Sequence, residues 1–237
     1  MNLFCFPYAG GSSAIYATWK KLMAPGIQLH TPELAGRGRR LMDDKYPNAA
    51  AAVDDMLSMI RSEINSGPYA IFGHSMGAML SLRLLQRLQK EGLPMPVHAF
   101  FSGRKAIQVQ RDKRMLADLP AEEFKKEVLE LGGTPKEFFE EPELMELFLP
   151  TLRSDFKLAE DNRFDPVVTP FDLPISVLVG MTEDLLPEEV TGWKEWTTET
   201  CQITYFKGGH FFINDNREGI IRLINQTLTK QEQHLPL

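Results

Sequence analysis

Short apolar runs recur along the chain, most of them bounded by glycine or proline and several followed by a stretch with helical spacing. Leu3-Phe4-Cys5-Phe6 stops at Pro7, and Ile27-Gln28-Leu29-His30 follows Pro25-Gly26. Tyr69-Ala70-Ile71-Phe72 follows Gly67-Pro68, and Val97 to Gly103, Ile175 to Gly180 and Gln202 to Phe206 complete the set. Runs this short and this apolar predict strands buried on both faces. Between them, residues 14–23, 190–196 and 216–228 read as helices. Residues 46–64 carry an apolar stripe of Ala49, Val53, Met56, Leu57 and Ile60 beside Asp54, Asp55 and Arg61. Residues 78–89 place Met79, Leu82, Leu85 and Leu88 on one face. Strand and helix in alternation predict an α/β fold with a mostly parallel sheet and helices on both faces.

From residue 104 to 170 the alternation stops. Basic residues from Arg104 to Arg114 lead to Leu119-Pro120-Ala121-Glu122-Glu123, where proline and early acids suit a helix start. That helix runs to Gly132-Gly133; a second spans 142–149 up to Pro150, and a third 151–160. The arrangement predicts a single domain, with a core of residues 1–103 and 171–237 and a helical insertion over 104–170. The insertion reads as a lid over the loop side of the sheet, set against a plain helical excursion packed on it.

Bulk properties narrow the class. A chain of 237 residues that is 43% hydrophobic and 24% charged has ample core for one globular domain. A formal charge of −6 argues against nucleic acid as a partner. Cys5 and Cys201 have neither metal-ligand nor disulfide-framework spacing and read as small apolar residues. The amino end lacks a signal-peptide pattern and no apolar run approaches the roughly 18 residues of a membrane span, so a cytoplasmic, membrane-free protein is expected. No cofactor is implied, and a monomer needs the fewest assumptions.

Candidate chemistry centres on Phe72-Gly73-His74-Ser75-Met76-Gly77-Ala78, a glycine-x-serine-x-glycine pattern lying between a predicted strand and a predicted helix. A serine at the tip of so sharp a turn has a strained backbone, and Gly73 and Gly77 leave room for the close approaches beside it. The amide of Met76, at the helix start, faces the same space as the hydroxyl. The small-residue loop Pro7 to Ser13 follows the first strand, so Ala9 is a second candidate donor to an oxyanion. Serine needs a base. His30 and His98 sit in strands, His74 belongs to the turn and His234 to the tail; His210, in a loop after the last strand, suits the role. Glu183 or Asp184, beyond the strand ending at Gly180, would orient it. Serine, acid and histidine then follow the chain order of α/β-hydrolases. These residues support ester-type acyl transfer without choosing sulfur over oxygen.

Several motifs together resemble the stand-alone, type II thioesterases of nonribosomal peptide and polyketide synthesis. They are Phe6-Pro7-Tyr8-Ala9-Gly10-Gly11, Glu33-Leu34-Ala35-Gly36-Arg37-Gly38, Gly73-His74-Ser75-Met76-Gly77, Leu131-Gly132-Gly133-Thr134-Pro135, Leu149-Pro150-Thr151-Leu152-Arg153-Ser154-Asp155-Phe156 and Gly208-Gly209-His210-Phe211-Phe212. The resemblance implies an α/β-hydrolase fold and a triad of Ser75, His210 and an acid. It also implies a lid over an apolar acyl chamber, and removal of stalled acyl groups from phosphopantetheine-bearing carrier domains. Family members usually carry aspartate at the position where an ungapped reading puts Glu183. Asp184 matches in type after a one-residue shift and is the favoured acid, with Glu183 the alternative. Because carriers are acidic, Arg37, Arg39, Arg40, Lys105 and Arg111 are candidate docking residues. A broad carboxylesterase and a non-catalytic carrier-binding protein are the alternatives.

Overall fold

The computed structural model describes residues 1–109, 115–133, 141–161 and 168–232. Every predicted strand forms: β1 (Asn2–Phe6), β2 (Gln28–His30), β3 (Tyr69–His74), β4 (His98–Ser102), β5 (Ile175–Gly180) and β6 (Cys201–Phe206). They make one six-stranded sheet in the order β2-β1-β3-β4-β5-β6, with every neighbouring pair parallel. Successive side chains of a strand point to opposite faces. Phe4 and Phe6 therefore pack on one side of β1 with helices α1 (Ala49–Ile64) and α2 (Met76–Glu91). Leu3 and Cys5 pack on the other with Tyr16, Trp19 and helix α6 (Arg217–Glu232). The parallel order brings the carboxyl ends of all strands, and the loops after them, to one edge.

Helix starts follow local chemistry. The Asn48 side chain caps α1 by accepting from the Ala51 amide, so that helix begins at Ala49, with the stripe, rather than at Tyr46. Residues 14–23 depart further from expectation, forming two 3-10 turns, Ser13–Tyr16 and Trp19–Leu22. A three-residue period brings Tyr16 and Trp19 into line, and both are buried against Phe72. Residues 187–196 likewise divide into α5 (Pro187–Thr191) and a 3-10 turn, burying Trp193 and Trp196.

Between β4 and β5 lie α3 (Ala121–Leu131) and α4 (Pro142–Ala159). Pro150 does not break α4 as its sequence suggests. It removes one amide donor on an exposed face, and side chains of the following turn anchor the helix. Thr151 donates to the carbonyl of Gly36, and Arg153 donates to the carbonyls of Ala117 and Leu119. The carbonyl end of α4 receives two cations: Arg104 donates to Ala159 and Arg83 to Asp161. Leu119, Phe124, Val128 and Leu152 form a small apolar cluster of this segment, with Ala9 packed against it. No helix among the described residues is long and apolar enough to cross a membrane.

Candidate active site

Ser75 stands between β3 and α2 with φ 55° and ψ −111°, the one non-glycine residue at positive φ among those described. Such a conformation costs on the order of 1–3 kcal/mol and persists only where surroundings enforce it. Here the enforcement is visible. The Ser75 amide donates to the Ser102 carbonyl of β4 at 2.7 Å. A methyl group on Gly77 would fall on the carbonyl of Phe6, and one on Gly73 on the carbonyl of Gly77.

The loop after β6 brings His210 to this serine: Ser75 Oγ lies 2.8 Å from His210 Nε2. On the far side of the ring, Nδ1 lies 2.6 Å from Glu183 Oε1. A carboxylate only accepts, so Nδ1 carries the proton and Nε2 is left to accept from the serine hydroxyl. The second carboxylate oxygen of Glu183 accepts from the Gly180 amide at 3.1 Å, and the side chain is 7% exposed. Backbone hydrogen bonds tie the two loops: Met181 donates to Phe206 and Thr182 to Gly208. Gly180 is required there, since any Cβ would meet the Gly209 carbonyl.

The acid beside His210 is thus Glu183 rather than the favoured Asp184. The turn after β5 folds back on itself, with Glu183 donating its amide to the Gly180 carbonyl. The longer glutamate side chain spans the gap from position 183, while Asp184, one residue on, is exposed at the cavity wall. His74 points the other way. It is fully buried, its Nδ1 lies 2.8 Å from Ser102 Oγ, and burial followed by the charge of His210 holds its pKa well below the usual histidine range. His30 pairs with Asn2, and His98 with Ser176 inside the sheet. His234 lies outside the described residues.

Met76 begins α2, so its amide has no partner within the helix. Tyr8 to Gly11 form a turn closed by the Gly11 amide on the Tyr8 carbonyl at 2.9 Å, with Gly10 at φ 76°. Positive φ at the third position is the type II pattern, which leaves the Ala9 amide outside the turn's own hydrogen bond. Ala9, Ser75 and His210 all line a cavity of about 830 Å³. Its other walls include Leu131, Leu152 and Phe156 from α3 and α4, and Arg104, Lys105 and Glu160 at the polar side.

The candidate docking cations part company in the structure. Arg37 is 6% exposed and committed to Asp155, so it presents no charge to a partner. Arg40 pairs with Asp55 and Asp43, and Lys105 donates to the Val109 carbonyl at the cavity wall. Arg39 is exposed, and Arg111 falls outside the described residues. Reading the residues singly missed Asp155. Its signal was the block Leu149 to Phe156, where an acid four residues after Thr151 stands on one helix face.

With this geometry in view, comparison with known proteins is specific. The thioesterase domain family model matches residues 1–228. Linear gramicidin dehydrogenase LgrE of Brevibacillus parabrevis is 32% identical over 95% of this chain and 87% of its own length. Gramicidin S biosynthesis protein GrsT of Aneurinibacillus migulanus is 31% identical over 96% of this chain and 89% of its own. The crystal structure of ClbQ, from the colibactin nonribosomal peptide and polyketide pathway, superposes with a TM-score of 0.91 at 32% identity, covering 98% of each chain. A family match over residues 1–228, joined to a parallel sheet with its serine, histidine and carboxylate at one edge, leads to one placement: the chain belongs to the thioesterase domain family, hydrolases of thioesters with the α/β-hydrolase fold.

Proposed function

We propose that the protein is an editing thioesterase, freeing the phosphopantetheine thiol of carrier domains in nonribosomal peptide or polyketide synthesis from stalled acyl groups. The observation that carries this reading is the Ser75–His210–Glu183 relay opening into a cavity of about 830 Å³ walled by α3 and α4. LgrE, named a dehydrogenase, and GrsT are named for linear gramicidin and gramicidin S, and ClbQ for the colibactin nonribosomal peptide and polyketide pathway, which supports the carrier context. The relay itself suits acyl transfer.

In this mechanism Ser75 Oγ bonds to the thioester carbonyl carbon as its proton passes to His210 Nε2. Glu183 stabilises the resulting imidazolium, and the amides of Met76 and Ala9 hold the oxyanion. Collapse breaks the carbon–sulfur bond, and the imidazolium proton goes to the leaving thiolate. Water, deprotonated by the same nitrogen, then attacks the acyl-serine and releases the acid. Helices α3 and α4 act as a lid that shapes the acyl chamber and limits water. Arg39, exposed, and Lys105, at the cavity wall, remain the docking candidates for an acidic carrier.

The test follows short acyl, aminoacyl and long acyl groups on phosphopantetheinylated carriers by intact mass, with oxygen esters in parallel. Turnover of carriers by the wild type and its loss in Ser75→Ala are expected. Retained deacylation in Ser75→Ala overturns the mechanism, and faster turnover of oxygen esters than of carriers points to a carboxylesterase.

A further inference from the structure

A buried carboxylate outside the triad joins α4 directly to the loop that carries Ala9. Asp155 is 1% exposed. Its Oδ2 accepts from the Gly10 amide at 2.7 Å and from Arg37 Nη1 at 2.7 Å, while Oδ1 accepts from Arg37 Nη2 at 2.7 Å. Arg37 Nη1 also donates to the Gly11 carbonyl at 3.1 Å, and Nε and Nη2 donate to the Ala35 carbonyl. The second half of the Tyr8–Gly11 turn, through the Gly10 amide and the Gly11 carbonyl, is therefore held by one ion pair, and one member of that pair stands on α4. The side chain of Leu152, a turn earlier on α4, sits where a Cβ on Gly10 would be, 2.7 Å away.

Stability does not account for this arrangement. A buried ion pair costs much desolvation, and an apolar pair of similar volume often holds two elements as well. What a carboxylate does here that a hydrophobic side chain cannot is accept the Gly10 amide and so fix the peptide plane beside Ala9. The Ala9 N–H lies in the adjoining Tyr8–Ala9 plane, which the Gly11-to-Tyr8 hydrogen bond couples to the first. Fixing the Gly10 amide therefore steadies the Ala9 donor, and an oxyanion donor works only when aimed within a fraction of an ångström.

We propose that Asp155, held by Arg37, is a positioning residue for the oxyanion site, and that hydrolysis is competent only while α4 is docked on the Tyr8–Gly11 turn. This rests on the assignment of Ala9 and Met76 as oxyanion donors. Departure of α4 withdraws the acceptor from Gly10, so an open chamber admits an acyl group before the donor is aimed and water-exposed chemistry is suppressed. The same segment that walls the chamber thereby licenses the reaction.

The experiment measures hydrolysis of a simple aryl thioester, which needs no carrier, together with binding of a boronate or trifluoromethyl ketone that forms an oxyanion on Ser75. Asp155→Ala is expected to lower kcat by about 10²-fold, the cost of a misplacement near 1 Å, with KM moving less than about threefold. Inhibitor affinity should fall by a matching factor, because only the transition-state interaction is lost. Arg37→Lys, which keeps the charge and loses the fork, should fall between wild type and Asp155→Ala. Thr151→Val, which loosens a different anchor of α4 but leaves the Gly10 acceptor in place, should lower kcat by less than Asp155→Ala does. Wild-type kcat in folded Asp155→Ala, or lost kcat with unchanged inhibitor affinity, overturns the proposal. If the Asp155 and Arg37 variants do not fold, hydrogen exchange of the unmutated protein decides. The Gly10 amide must exchange as slowly as the amides of α4, and faster exchange refutes the tie. A wild-type enzyme that neither turns over the thioester nor binds the inhibitor would instead indict the assignment of Ser75 itself.

Discussion

Glu183→Gln is the sharpest probe of the relay, because it removes one charge and leaves the shape of the side chain. Glu183 Oε1 lies 2.6 Å from His210 Nδ1, and its other oxygen takes the Gly180 amide. A charge centre on the imidazolium sits about 4 Å from that of the carboxylate, which at an effective dielectric of 20 is worth about 4 kcal/mol. Each 1.36 kcal/mol is a decade of rate, so about 10³-fold of kcat is at stake from charge alone. The amide can also turn its donor toward Nδ1, which forces the proton to Nε2 and blocks acceptance from Ser75. The tautomer penalty carries the expected loss toward about 10⁴-fold. The assay is steady-state hydrolysis of an acyl thioester with active sites counted by a serine-directed fluorophosphonate. Asp184→Asn, tested beside it, should change kcat by less than about threefold, since that carboxylate does not reach the imidazole. A Glu183→Gln enzyme within about tenfold of wild type, or an Asp184→Asn enzyme crippled by about 10³-fold, would refute the placement of the acid.

Three other outcomes follow from the same structure. His98 is buried in the sheet and burial pushes its pKa down to about 4, so the folded state holds it neutral. Between about 6.5 and about 4 the unfolded chain binds the extra proton, so stability falls by roughly 3 kcal/mol as pH drops through that window and levels below it. Urea unfolding across this range should show a shallower decline in His98→Gln than in wild type. Gly77→Ala sets a methyl group on the Phe6 carbonyl, and a loss of at least about 3 kcal/mol, read as the urea midpoint, is expected. Arg39→Glu should slow association with an acidic carrier in stopped flow and flatten its salt dependence, while small-thioester turnover is unchanged.

Much of the fold is legible in the chain because parallel strands buried on both faces are written as unbroken apolar runs. Ile175 to Gly180 could hardly be anything else. Where local pattern and tertiary demand differ, the reading slips. Residues 14–23 carry a helical pattern, yet burying Tyr16 and Trp19 together selects a tighter turn. Pro150 signals a break, yet anchors on the following turn hold α4 through it.

At the site, the chain alone singles out Ser75 and His210 as the proposed nucleophile and base. Ser75 has a local signature, since strand, glycine, serine, glycine and helix are contiguous, and His210 survives as the one histidine placed in a loop after the last strand. The acid has no such signature. Whether position 183 or 184 reaches the imidazole depends on how the turn after β5 folds back on Gly180, a matter of less than one side-chain length. The role of Arg37 was beyond any local reading for a stronger reason. Its partner is 118 residues away on α4, and a charge that looks free along the chain is buried once those segments meet. That Asp155 holds the turn beside Ser75 follows from contacts between segments far apart in the chain, because such hydrogen bonds leave no period in the sequence.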